Sequence, residues 1–181
     1  GATFQLQIAG RVGVPSDATA AVLNVAVVGP DGPGFVTVFP CDADRPNASN
    51  VNYVGGQVVA NSVVARLAAD GTTCLFTRTG TDLVVDVTGT LPGDSFDPLD
   101  APARALDTPA AGETLDDDQR FEKTGRVAAG APLQLQNPGR AGVPSAATPA
   151  VLHVPVVGPD GPGLVTWFPC AADRPHSSAR H

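Results

Sequence analysis

The chain has 181 residues, 43% of them hydrophobic, enough to bury a core without a cofactor to hold it together. Its formal charge of −7, with Lys123 the one lysine among eleven cations, excludes a phosphate-neutralising patch and attraction to anionic lipid, and no apolar run approaches the roughly 20 residues that span a bilayer, so neither nucleic acid nor membrane insertion is expected. Twenty glycines and eighteen prolines scattered between valine-rich runs exclude long helices and predict short strands joined by tight turns.

Seven strands are expected in the first half of the chain, at 4–8, 21–28, 35–39, 50–53, 58–67, 74–78 and 83–88. Each is rich in valine, other β-branched residues or aromatics, and each is bounded by turn residues. Between the second and third runs, Pro30-Asp31-Gly32 carries the residues of a tight reversal and reads as a hairpin turn. Asn47-Ala48-Ser49 in the next loop matches a glycosylation sequon but reads as ordinary loop. Cys41 and Cys74 stand at strand ends, and a disulfide between them would close a loop of about 34 residues, worth ~3–4 kcal/mol in the chain-entropy model. Three cysteines, no methionine and one lysine fit a secreted or cell-surface protein.

Asn24, Asn52, Asn61 and Asp86 interrupt strongly apolar strands. There an unpaired amide or carboxylate costs ~1–3 kcal/mol, so these side chains are expected to link the two sheets or tie down turns, with a polar ligand groove as the alternative. Tyr53 and Trp167 are the candidate sugar-stacking faces, whereas Phe35 and Phe39 read as core.

Beyond the seventh strand, 94–126 holds nine acidic and four basic residues and reads as linker. Its Asp116-Asp117-Asp118 triplet lacks the spaced ligands and glycine of a calcium loop. The sequence then repeats itself. A shift of 129 positions aligns 1–52 with 130–181, and 35 of the 52 pairs are identical. Cys41 maps onto Cys170, Asn24 onto His153 and Val38 onto Trp167, the last implying a position that points outward or tolerates size. A period of this length suits one β-sandwich per copy.

The expected architecture is therefore an all-β antiparallel sandwich, jelly-roll or immunoglobulin-like, in tandem, with the second copy interrupted. The expected divisions are a first copy lacking its head at 1–93, an acidic linker and second head at 94–129, and a truncated second copy at 130–181. Cys170 is then left unpaired. Incomplete sandwiches expose strand edges, so self-association by strand exchange into a dimer or filament is expected.

The runs LNVAVV (23–28), GFVTVFPC (34–41), SNVNY (49–53), VVANSVVARL (58–67) and DLVVDVTG (82–89) together resemble a repeat module of secreted and cell-surface proteins of high-GC Gram-positive bacteria. The resemblance spans nearly the whole chain and implies a non-catalytic accessory β-domain, of the kind that accompanies hydrolase or wall-associated domains. The head of such modules resembles P-x-R-L-L-D-T-R. Here 102–108 reads PARALDT, and Pro109 replaces the final arginine. After Pro175 the second copy departs, with HSSARH in place of NASNVN.

Catalysis is not expected. The first copy contains no histidine to activate Ser16, Ser49 or Ser62, and no G-x-S-x-G elbow is present. A hydrolase built on carboxylates from Asp42, Asp44, Asp82 and Asp86 is the alternative reading. Cys170, His176 and His181 have a spacing that matches no standard zinc arrangement, so neither metal nor other cofactor is expected. The function expected is an extracellular binding or spacer module, with a glycan or cell-wall polymer as candidate ligand.

Overall fold

The computed structural model describes residues 1–11, 13–91, 96–99, 102–114, 119–147 and 150–172, and the chain divides into two compact units, Gly1–Pro102 and Ala103–His181. The first unit is the expected sandwich, with no helix among the described residues. One sheet has four strands in the order β1 (Ala2–Gln7), β6 (Thr72–Thr77), β3 (Gly34–Pro40), β4 (Val51–Tyr53). The other has three, in the order β5 (Val58–Arg66), β2 (Ala20–Val28), β7 (Asp82–Leu91). All pairs are antiparallel.

Alternation along each strand decides which side chains enter the core. On β2, Ala21, Leu23, Val25 and Val27 are completely buried, while Val22, Asn24, Ala26 and Val28 are half-buried on the other side. The buried set meets Val36 and Val38 of β3, Val51 and Tyr53 of β4, Val63 and Ala65 of β5 and Leu75 of β6. Each such valine or leucine stabilises the sandwich by ~1.5–3 kcal/mol.

The Pro30-Asp31-Gly32 turn does not close a hairpin, contrary to the sequence expectation. β2 pairs with β5 and β7, whereas β3 pairs with β4 and β6, so the turn carries the chain from one sheet to the other. Two apolar alternating strands satisfy each other equally well across a core as side by side, and local turn chemistry does not distinguish the two. The crossing is pinned from both flanks. The Asp31 N–H donates to the Gly80 carbonyl, the Gly56 N–H to the Pro30 carbonyl and the Thr79 hydroxyl to the Gly32 carbonyl.

Cys41 and Cys74 form the expected disulfide, with Cα atoms 5.0 Å apart. It holds the 41–50 segment over the outer side of the four-stranded sheet. There the Thr37 hydroxyl donates to the Ala48 carbonyl, the Val38 N–H donates to Asn50 Oδ1, and the Arg45 guanidinium lies 3.9 Å from the Phe76 ring centroid. Thr37 and Phe39 are consequently buried on the side of the sheet away from the core.

The second unit contains no strand among its described residues. Around PARALDT, Asp107 organises a local turn: Arg104 and the Glu113 N–H both donate to its carboxylate. Its backbone exchanges hydrogen bonds with Phe121 and Lys123. Farther on, the loop at 139–147 repeats the loop at 10–18. Gly139 and Gly142 have φ of 76° and 79°, matching 75° and 81° at Gly10 and Gly13, and the Val143-to-Arg140 hydrogen bond repeats Val14-to-Arg11.

The duplicated loop survives, but positions central to the sandwich have changed. Val38 faces the core with 7% exposure, so of the two sequence readings of the Val38-to-Trp167 change the outward-pointing one fails, and Trp167 stands where the first copy has a buried valine. Asn137 stands at the position of buried Ile8, and Pro155 at that of Ala26 in the central strand β2. A large aromatic, a buried amide and a missing N–H each oppose a second sandwich of the first kind.

Candidate functional site

The two outer faces of the sandwich differ. That of the four-stranded sheet is covered by the disulfide-tethered 41–50 segment, whereas that of the three-stranded sheet carries exposed Val58 on β5 and exposed Val84 on β7. On this face the register sets Ser62, Asn24 and Asp86 directly opposite one another on β5, β2 and β7. The row below is Ala60, Ala26 and Val84, and the next is Val58, Val28 and Asp82. Above it, Val64 and Val22 lead to a bulge at Thr88, whose hydroxyl donates to the Val22 carbonyl. One row polar on all three strands thus crosses a platform that is aliphatic apart from Asp82 in its last row, with Asn24 Nδ2 donating to Asp86 Oδ2 at 3.4 Å.

The other sequence candidates lie elsewhere. Asn61 points to the opposite side of β5, where its amide donates to the Asn50 carbonyl at 2.8 Å and links the two sheets. Asn52 is exposed on β4. Tyr53 is 4% exposed with its ring in the core, so it offers no face to a sugar. Its hydroxyl lies 2.7 Å from the Thr77 hydroxyl and 3.1 Å from the Thr79 hydroxyl, and accepts from the Thr79 N–H. Burial pushes this phenol up, and the hydrogen bonding with Thr77 and Thr79 outweighs it, leaving the group below its ordinary value. A Cβ at Gly34 would sit 2.7 Å from Tyr53 Oη, which is why glycine starts β3 there.

Trp167, in the second unit, is 48% exposed, and Cys170 is an exposed free thiol. Asp42 accepts from the Ala69 N–H, away from Asp82 and Asp86 on the platform. Among the described residues no three His, Cys, Asp or Glu side chains converge on a metal-sized site, and no helix is long and apolar enough to cross a membrane. Asp116, Asp117, Asp118, His176 and His181 lie outside the described residues.

In the sequence Ser62 reads only as a candidate nucleophile, and Val58 and Val84 do not stand out from the other valines. Their signal was parity: Ser62 lies two residues along from Ala60 and two before Val64, on the face of β5 opposite Asn61. Chemically, the platform combines hydroxyl, amide and carboxylate groups with flat aliphatic surface. That combination accepts hydrogen bonds from hydroxyls while covering C–H groups. No protein-family model, curated protein or solved structure matches the chain.

Proposed function

We propose that the chain is a non-catalytic binding or spacer module of a secreted or cell-surface protein, with the open face of its three-stranded sheet as the contact surface and a cell-wall glycan as its ligand class. The observation that carries this reading is the Ser62, Asn24 and Asp86 row set into a valine platform. A polysaccharide laid along the row meets donors and acceptors at its hydroxyls and valine methyls at its C–H faces. The Cys41–Cys74 bond supports the extracellular assignment, because such bonds persist in oxidising compartments.

Calorimetry with isolated wall polysaccharide tests the proposal. Wild type is expected to bind, and Asn24→Ala and Asp86→Ala to bind at least about tenfold more weakly, equivalent to loss of one charge-assisted hydrogen bond. Absence of binding across a broad glycan array contradicts it.

A further inference from the structure

We propose that the free edge of β7 receives residues 150–157 of a second copy of this chain, which add there as a fourth strand of the small sheet. The proposal starts from the unequal sheets, four strands against three. β5 approaches β3 and β4, and β2 approaches β4, so β7 is the last strand on the side of β6 and β1. Among the described residues no strand stands opposite β1. The side chains record the vacancy. Phe4 is in register with Leu75 and shares its core-facing side, yet Leu75 is 1% exposed and Phe4 61%. On β7, Leu83 and Val85 pack against the core, while Val87 on the same side is 37% exposed. Among the described residues, one strand position is therefore bounded by the unpaired backbone of β7 and the exposed ring of Phe4.

The edge itself is suited to pairing. β7 runs for ten residues without a proline or a lysine, the two residue types that most often block edge-to-edge association. Its occupant must be extended, apolar at alternate positions toward Phe4, and polar beside Asp86 on the opposite side. The sequence AVLHVPVV at 150–157 meets these conditions, being AVLNVAVV of β2 with two changes. In the orientation of β2, Leu152, Val154 and Val156 face the uncovered core and His153 lies on the outer side, level with Asp86. An imidazole N–H there donates to the carboxylate that Asn24 already contacts from the other flank.

Both changes fit an edge strand. Pro155 removes an N–H that a central strand needs, but a strand with one open side loses nothing when the proline nitrogen faces solvent. Val151, Val156 and Val157 are 62%, 49% and 72% exposed, apolar surface that strand addition would cover. Reciprocal donation between two chains closes into a two-fold dimer with both edges filled. The interface lies along the β7 edge and meets the glycan row only at Asp86, and it is tested by self-association alone, without polysaccharide.

The test uses full-length chains carrying Cys170→Ser. Mixing an Asp86→Cys chain with a His153→Cys chain under mild oxidation is expected to give a disulfide-linked heterodimer, with neither chain alone giving a comparable product. Val154→Asp, which leaves every residue of the sandwich unchanged, is expected to weaken self-association at least about tenfold by sedimentation. It should leave far-ultraviolet dichroism as in wild type. A wild-type chain that stays monomeric at its highest soluble concentration overturns the proposal. So does a mixture that forms no heterodimer, or a Val154→Asp chain that associates as wild type does.

Discussion

Removing the disulfide gives a quantitative test of how the 41–50 segment is held. Cys41 and Cys74 are 33 residues apart in sequence, and closing a loop of that size removes unfolded-state entropy worth about 3.8 kcal/mol at room temperature. The segment has further anchors that survive the change: Thr37 to Ala48, Val38 to Asn50 and Asn61 to Asn50. A Cys41→Ala/Cys74→Ala chain in a Cys170→Ser background is therefore expected to lose about 3–4 kcal/mol, measured by urea denaturation followed by far-ultraviolet dichroism. Against the 5–15 kcal/mol typical of whole domains, this leaves a folded but weakened sandwich. If the segment instead peels away, exposing Phe39 adds about 1.5–3 kcal/mol, and the loss approaches 6 kcal/mol. A loss below about 1 kcal/mol would refute the stapling role altogether.

Val38→Trp, which installs the residue of the second copy in the core of the first, is expected to destabilise by about 1–3 kcal/mol or more, and an unchanged urea midpoint would show that the site tolerates the ring. Tyr53→Phe leaves the Thr77 and Thr79 groups short of a partner and is expected to cost about 1–2 kcal/mol, with thermal unfolding as the check. Asp70 accepts from both the N–H and the hydroxyl of Thr72, and this hydrogen bonding holds its carboxyl below the usual value against an opposing desolvation effect. Because the folded value is depressed, the contribution is present above the unfolded value and lost as pH falls through the folded one. Asp70→Asn should thus weaken the fold at neutral pH and match wild type in strong acid, and a difference that persists there would contradict the assignment.

All seven strands were legible in the sequence because valine-rich alternation and turn chemistry are local signals. What was not legible was pairing. Nothing in Pro30-Asp31-Gly32 says whether β2 and β3 lie side by side or across a core, and that choice was made by Gly80, Gly56 and Thr79 from distant turns. Sidedness was also hidden where a strand carries large apolar residues on both faces. In GFVTVFP, Val36 and Val38 enter the core while Phe39 lies under the 41–50 segment, a distinction set by the disulfide and by Asn50.

The four polar strand residues show the same division. Asn24 and Asp86 share a face because their strands are neighbours in register, a fact of topology, whereas Asn61 on the adjacent strand has the other parity and serves the inter-sheet link. Tyr53 resembled a surface aromatic by composition alone. Its burial follows from β4 being a three-residue strand whose two end residues both face inward.

The contact surface assigned to the open platform is tested most directly by mapping amide chemical shifts on an isotope-labelled chain during titration with wall polysaccharide. Perturbations are expected to centre on Ser62, Asn24 and Asp86 and to extend to Val84 and Val58, with the covered face around Phe76 and the 41–50 segment unchanged. Perturbations confined to the 41–50 segment, or to the second unit around Trp167, would contradict it.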